Sequence, residues 1–243
     1  GLVVYREGVA AIDDTLAMGC WTPTQTFSAV KSSSAHWQAE LQKPDGSAFA
    51  LQCAGEEPAD IAWRYCGAHN VENALAASAA ARHVGVGPAV SAQAIAEFQG
   101  VKRRLELLGS PHNVSVYDDF AHHPTAIKTT LAGLRAQVGH HETIVALIEP
   151  RSNTMRLGAH KAHLAQSAAP ADQVIWYQPP GMDWDLADVV AASNGRASLA
   201  TDLEAVIARV NLEAQAGDAI VVMSNGGFGG IHDKLLAGLA KVT

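Results

Sequence analysis

Apolar and polar residues alternate in a regular order through the second half of the chain. Short apolar runs predict buried strands at residues 114–117, 144–148, 174–177 and 220–223, with a further strand near 197–200. Helical spacing predicts helices at residues 125–138, 160–169, 203–214 and 231–242. Strands alternating with helices, and apolar along their whole length, are typical of a mostly parallel sheet covered by helices on both faces. The predicted fold class is therefore α/β.

The first hundred residues have a different pattern. Residues 37–53 alternate on both sides of Pro44-Asp45-Gly46, which predicts a β-hairpin. A helix is predicted next, with Asn70 as a possible N-cap and Gly85 as its end, followed by a short helix at 91–98. We place a hinge and a domain boundary near 106–112, giving a β-rich and helical domain at 1–108 and a Rossmann-like domain at 109–243.

Composition and charge narrow the class of protein. The 243 residues are 48% hydrophobic and 17% charged, so the chain can bury a core and fold. The net charge is −7 without a basic tract, which argues against a nucleic-acid partner. No apolar run approaches the roughly 18 residues of a membrane helix, so no membrane partner is expected. Three cysteines without CxxC spacing favour a reducing cytoplasm over a disulfide framework or structural zinc.

Three polar clusters follow predicted strands, at residues 118–123, 149–154 and 224–232. Ligands of open parallel sheets bind beyond the carboxyl ends of the strands, so these clusters predict a binding site at one edge. The cluster richest in acids and histidines is DDFAHHP, which begins at Asp118 and ends at Pro124. Proline suits the first turn of a helix, so the acids and histidines form a loop that leads into a helix N-terminus.

Three interpretations of this DDFAHHP loop remain open. It contacts a ligand, it merely caps the helix, or it holds a metal for a hydrolase that uses Asp118, Asp119, His122 and His123. The metal interpretation needs convergent ligands, and a second cluster of histidines and acids at ligand spacing is not evident in the sequence. We therefore predict no metal site in this chain.

Other candidate residues are amides and cations. Asn70 and Asn73 lie three residues apart, and an amide offers the donor and acceptor that an adenine edge needs. On spacing alone, capping by Asn70 and solvation of Asn73 explain the pair better. Lys102, Arg103 and Arg104 form a basic turn that either binds phosphate or is simply exposed. The glycine-rich segment after residue 223 lacks the GxxxxGK[ST] pattern of a phosphate-binding P-loop.

Several motifs, taken in order, resemble the Mur ligases of peptidoglycan synthesis. They are GAHNVENALAA, FQGVKRRLEL and VYDDFAHHPTAI, supported by MGCWTP, AARHVGV, EPRSNTMRLG and MSNGGFGGIH. The resemblance runs through essentially the whole chain. It implies an ATP- and Mg²⁺-dependent ligase that joins UDP-N-acetylmuramate to L-alanyl-γ-D-glutamyl-meso-diaminopimelate through an acyl phosphate. The alternative within the family is the ligase that adds L-alanine to the same nucleotide sugar.

The resemblance also implies roles for individual residues. Asn70 and Asn73 would lie near the adenine and Arg104 at the nucleotide phosphates. Asp119 would contact the ribose or help align the closing domain, and Asn73, Arg104 and Asp119 would line one cavity. His122 would add a contact to the nucleotide, and His123 is a candidate general base by residue type. The residues implied to face the peptide are Arg151, Ser152, Asn153, Ser224 and Asn225.

The family plan has three domains: one that binds the UDP-sugar, a central ATPase and a C-terminal Rossmann-like domain. This chain has no P-loop and none of the family's magnesium ligands, and it begins without an initiating methionine. We therefore expect the end of the central domain followed by the complete C-terminal domain, and no ligase activity from the isolated chain. A non-catalytic binding module is the remaining alternative.

Overall fold

A computed structural model describes residues 1–30, 34–182 and 184–241. The chain divides into two compact units, Gly1–Gln99 and Gly100–Thr243. Residues 100–108, which the sequence assigns to the first domain, therefore pack with the second unit. The assignment of the units to a central and a C-terminal Mur ligase domain stays a prediction.

The first unit contains one five-stranded sheet and three helices among its described residues. The strands are β1 (Val3–Arg6), β2 (Thr24–Ser28), β3 (Trp37–Leu41), β4 (Ala48–Cys53) and β5 (Ala59–Ala62), in that spatial order. The helices are α1 (Ala10–Ala17), α2 (Ala68–His83) and α3 (Pro88–Ala96). Strands β1 to β3 pair in parallel, and β3, β4 and β5 pair antiparallel. The predicted hairpin is confirmed by the pairing of β3 with β4.

The core of the first unit explains these elements. Trp37, Phe49 and Leu51 on the hairpin are fully buried and pack with Val71 and Leu75 of α2. Burying large apolar side chains on one face of the sheet and one stripe of the helix supplies most of the favourable free energy of folding.

Helix α2 begins earlier than the sequence predicted. Its N-cap is Gly67, whose φ of 93° suits glycine, so the prediction that Asn70 is the N-cap is wrong. The Asn70 side chain instead donates from Nδ2 to the Cys66 carbonyl at 2.8 Å. The predicted end is confirmed, because the helix ends at His83 and Gly85 follows with a φ of 99°.

The second unit is a six-stranded sheet with helices on both faces. Its strands are β6 (Glu106–Gly109), β7 (Ser115–Asp119), β8 (Ile144–Ile148), β9 (Gln173–Tyr177), β10 (Ala197–Ala200) and β11 (Ala219–Met223). Its helices are α4 (Pro124–Val138), α5 (Asn153–Arg156), α6 (Lys161–Ser167), α7 (Ala187–Ala191), α8 (Leu203–Glu213) and α9 (Ile231–Leu239). The spatial order is β10-β9-β8-β11-β7-β6, and all pairs are parallel except β6 with β7. The predicted fold class is confirmed.

Alternation along the strands explains the two helical layers. In β11, Val221 belongs to the cluster under α4, α6 and α7, whereas its neighbours Ile220 and Val222 belong to the cluster under α8 and α9. Successive side chains of a strand point to opposite faces, so a strand buried on both faces must be apolar throughout. This is why β8 and β11, with every residue buried, were predicted from sequence almost residue by residue.

Two predictions differ from the structure at the ends of the second unit. Residues 106–109, where we predict a hinge, form β6, so a hinge there would have to break its pairing with β7. Helix α9 ends at Leu239, and Val242 of the predicted helix lies outside the described residues. In the part of the chain that the structure describes, no helix is long and apolar enough to span a membrane.

Candidate active site

The three polar clusters meet at the carboxyl edge of the second sheet, as the sequence predicts. Strand β11 lies between β7 and β8, and Met223 is in register with both Asp119 and Ile148. The chain leaving each strand is tied to its neighbour: Ser224 N donates to the Asp119 carbonyl at 3.1 Å and Glu149 N to the Met223 carbonyl at 2.9 Å. These contacts bring residues that are far apart in sequence to one edge of the sheet.

The two consecutive aspartates face opposite layers, because adjacent residues of a strand alternate. Asp118 lies on the α9 side, where Oδ2 accepts from Arg103 Nε at 3.0 Å and Oδ1 is 3.1 Å from His232 Nε2. The second distance is that of an ion pair, although its angles are not those of a hydrogen bond. Burial would raise the pKa of Asp118, but His232 and Arg103 outweigh burial and hold that pKa below its usual value.

Asp119 is 3% exposed and points toward α4. Its Oδ2 accepts from Leu105 N and its Oδ1 from Ala121 N, both at 2.7 Å, with Thr130 Oγ1 3.4 Å from Oδ1. Burial raises the pKa of Asp119, against the lowering effect of the two amides, Arg104 and Thr130. Both oxygens are thus already used to hold the backbone on either side of the site.

The basic turn has an unusual backbone. Arg103 and Leu105 have φ values of 62° and 48°, in the left-handed region that costs non-glycine residues energy. Arg103 is anchored by Asp118 and by the carbonyls of Ser224 and Gly226. Between these two residues, Arg104 is exposed, and its Cζ lies 5.9 Å from the centre of the Phe120 ring. The turn therefore fixes the side chain of Arg103 and leaves the side chain of Arg104 exposed.

Ser224 and Asn225, predicted to face a peptide, lie at the start of the glycine-rich loop. The Ser224 side chain is fully buried, donates to Glu149 Oε2 and accepts from Gly226 N at 2.9 Å. Its hydroxyl is thereby committed within the chain. The Oδ1 atom of Asn225 is buried and has no hydrogen-bond partner among the described residues, so this amide retains an unused acceptor.

Arg151 follows β8 and lies against the same loop. A Cβ at Gly226 would be 2.3 Å from Arg151 Nη1 and 2.7 Å from Arg151 Cδ, so a larger residue at position 226 would displace the Arg151 side chain. Ser152 caps the short helix α5 by accepting from Met155 N at 3.4 Å, and Asn153 is exposed at the first helical position. The guanidinium of Arg151 is exposed at the edge of the sheet, where an anion could approach it.

The two adjacent histidines have separate environments. His122 Nδ1 is 2.9 Å from the Phe120 carbonyl, and the ring packs edge-on to Phe120. His123 is the N-cap of α4: its Nδ1 accepts from Thr125 N at 3.3 Å, and its ring centre lies 4.4 Å from that of His160. Burial, and then the nearby His160 and His122, lower the pKa of His123 from 6.5.

The capping bond predicts how His123 responds to acid. A protonated Nδ1 cannot accept from Thr125 N, so the folded chain favours the neutral ring. Because the pKa of His123 in the folded state lies below 6.5, the unfolded chain takes up a proton at this histidine first as the pH falls. The neutral His123 ring therefore stabilises the fold above pH 6.5, and this contribution is lost as the pH falls through the folded-state pKa.

Histidine titration followed by NMR checks this expectation. His160→Ala removes one cause of the shift, so we expect the pKa of His123 to rise toward 6.5. His140→Ala is a matched control, because His140 is exposed in the loop after α4. A His123 pKa that is unmoved by loss of His160 would contradict the proposed coupling.

Among the described residues, no group of three or more histidines, cysteines or acids could hold a metal ion. The carboxylates of Asp118 and Asp119 instead pair with cations and amides. The exposed cations Arg104 and Arg151 stand at the same edge of the sheet. The arrangement suits anionic ligands such as phosphates and carboxylates better than a cation.

Comparison with known proteins decides the family. The family model described as "Mur ligase, glutamate ligase domain" matches residues 103–226, which include both arginines of the basic turn, both aspartates and the start of the glycine-rich loop. The chain belongs to the Mur ligase family.

Three relatives describe the similarity further. The UDP-N-acetylmuramate–L-alanyl-γ-D-glutamyl-meso-2,6-diaminoheptandioate ligase of Escherichia coli (strain K12) is 46% identical over 99% of this chain and 52% of its own length. A UDP-N-acetylmuramate–L-alanine ligase of Synechococcus elongatus is 35% identical over 70% of this chain and 39% of its own length. The crystal structure of a murein peptide ligase from Psychrobacter arcticus 273-4 has a TM-score of 0.74 and 41% identity, covering 100% of this chain and 52% of that one. The chain thus spans about half the length of these tripeptide and murein peptide ligases.

The Mur ligase residues predicted near the adenine belong to the first unit. Asn70 is half-buried and its amide donates to the backbone, whereas Asn73 is exposed on the next turn of α2. Of the two, Asn73 has the side chain that is open to a ligand.

Sequence reasoning did not select His232 or Glu149. Both lie within the predicted polar clusters, but their partners Asp118 and Ser224 are 114 and 75 residues away in sequence. Spacing along the chain carries no signal for such pairs. The only available clue was position, since each follows a predicted strand.

Proposed function

We propose that the protein is an ATP-dependent ligase that joins UDP-N-acetylmuramate to the tripeptide L-alanyl-γ-D-glutamyl-meso-diaminopimelate, in the cytoplasm, during peptidoglycan recycling. The observation that carries the proposal is the extent of similarity. The tripeptide ligase of E. coli matches 99% of the chain at 46% identity, whereas the S. elongatus L-alanine ligase matches 70% at 35%. The surface of exposed arginines at the sheet edge supports it, because both substrates are anionic.

The nucleotide side of the proposed site rests on Arg104. Its guanidinium is exposed beside Phe120 on a turn whose backbone is fixed on both sides, so it is available to donate in a fork to phosphate oxygens. We assign Asn73, the exposed amide of the pair, to the adenine, His122 to a further nucleotide contact, and Asp119 to alignment of the turn that carries Arg104. The Asp119–Leu105 hydrogen bond supports the alignment role.

The peptide side rests on the loops after β8 and β11. Arg151 is the natural partner for a peptide carboxylate, with Ser152, Asn153 and Asn225 beside it as polar contacts. We assign Ser224 a structural role, in which its hydrogen bonds to Glu149 and Gly226 hold the glycine-rich loop in place. We assign His123, an exposed imidazole at the N-terminus of α4, to taking a proton from the attacking amine.

ATP, when bound, supplies the phosphoryl group that converts the muramate carboxylate into an acyl phosphate. The chain's own residues orient the substrates and neutralise their charge. Arg104 stabilises negative charge on phosphate oxygens, and Arg151 holds the peptide so that its amine faces the activated carbonyl. The amine attacks, and inorganic phosphate leaves as the amide forms. Magnesium ligands are expected elsewhere in the full-length protein.

Phosphate release by the full-length protein tests the proposal. With ATP, Mg²⁺ and UDP-N-acetylmuramate present, we expect release that depends on the tripeptide, with L-alanine alone giving little. Release that depends on L-alanine and ignores the tripeptide would instead identify the L-alanine ligase. Absence of release with either amine, from protein shown to be folded by circular dichroism, would refute ligase function.

A further inference from the structure

Arg103 joins the ends of two neighbouring strands. Its Nε donates to Asp118 Oδ2 at the end of β7, and its Nη2 donates to the carbonyls of Ser224 and Gly226 just after β11. Asp118 lies more than 100 positions before Ser224 and Gly226 in the sequence. A planar guanidinium with several N–H groups can serve them together, which a lysine ammonium cannot do in the same geometry.

The backbone of Arg103 is fixed as firmly as its side chain. Its N–H donates to Glu106 Oε2 at 2.8 Å, and its carbonyl accepts from Phe120 N at 2.8 Å. Its left-handed φ of 62° is kept by these contacts, since such a conformation persists only where the surroundings determine it. Two residues later, Leu105 N donates to Asp119. Arg104 is therefore held from both sides while its own side chain remains exposed.

We propose that Arg103 is a positioning residue that sets where Arg104 stands relative to the loop at 224–226. The proposal rests on the proposed ligase function, in which Arg104 contacts the phosphates. Arg103 touches no substrate in this arrangement; it acts by joining the turn that carries Arg104 to the loop that lies against Arg151. One half-buried arginine thus fixes the spacing between the nucleotide side and the peptide side of the second unit.

Arg103 and its three acceptors on Asp118, Ser224 and Gly226 form a clamp. Arg103→Lys tests this clamp without removing the positive charge beside Asp118. In the 243-residue chain we expect the amide hydrogens of Leu105 and Phe120 to exchange at least about tenfold faster, because local opening becomes easier. In the full-length ligase we expect kcat to fall about tenfold to a hundredfold, as a small misplacement of a catalytic group can do. The KM for UDP-N-acetylmuramate should stay near that of the wild type.

Lys128→Ala is the control, because Lys128 is an exposed cation on α4 and lies outside the clamp. It should leave both amide exchange and kcat unchanged. Unchanged exchange at Leu105 in Arg103→Lys would overturn the clamp, and faster exchange with an unchanged kcat would overturn its role in positioning Arg104. An inactive wild-type ligase would refute the proposed function instead, and amide exchange would then decide the clamp by itself.

Discussion

Replacing Arg104 with alanine should lower the kcat of the full-length ligase about a hundredfold to a thousandfold, the loss typical of removing one preorganised group from developing charge. The guanidinium is exposed and lies beside Phe120, so its removal leaves no cavity. The free energy of unfolding should change by less than about 0.5 kcal/mol, as for other surface substitutions. Tripeptide-dependent phosphate release measures the first effect and urea unfolding the second.

Arg104→Lys separates charge from geometry in the same experiment. Lysine keeps the positive charge but loses the fork that binds two phosphate oxygens, so we expect a kcat between those of the wild type and the alanine variant. A folded Arg104→Ala enzyme that turns over at the wild-type rate would remove Arg104 from the site. Loss of folding in that variant would show that the arginine stabilises the turn rather than the reaction.

Replacing Trp176 with alanine should destabilise the second unit by about 3–5 kcal/mol, the usual cost of truncating a buried aromatic side chain. Trp176 lies in β9, is fully buried and packs in the cluster under α4, α6 and α7. A domain is stable by only about 5–15 kcal/mol, so this one change removes a large share. Urea unfolding followed by circular dichroism measures it independently of tryptophan fluorescence.

Two controls sharpen the test of Trp176. Trp21→Ala makes the same chemical change at a side chain that is 93% exposed, and it should cost less than about 0.5 kcal/mol. Trp176→Phe should cost much less than Trp176→Ala, because it keeps most of the volume and removes an indole N–H that has no partner among the described residues. A cost at Trp176 equal to that at Trp21 would contradict the described packing.

The parts of the fold that depend on local pattern were predictable from sequence. β8 and β10 match their predicted bounds, and the hairpin of β3 and β4 lies at Pro44-Asp45-Gly46. These elements have strong periodicity or a definite turn signal. Helix α1 was not predicted, because it is eight residues long and its half-buried apolar pattern is limited to Ile12 and Leu16.

The site was predictable in place but not in detail. Consecutive parallel strands bring their carboxyl ends to one edge whatever the side chains are, so the three clusters could be placed together. The choice between Arg103 and Arg104 could not be made by physical reasoning from spacing, because both occur in one basic turn. Arg103 is anchored by Asp118 and by two carbonyls more than 100 residues away, on a backbone with left-handed angles, whereas Arg104 is exposed.

The parallel sheet of the second unit also separates the loops into two sets. The turn between α4 and β8 lies at the amino edge, opposite the aspartates, and His140, His141 and Glu142 are exposed there. A fluorescent dye or spin label attached at this turn would lie a full strand length from the arginines. Such a label could report on motion of the unit during turnover while leaving the chemistry undisturbed.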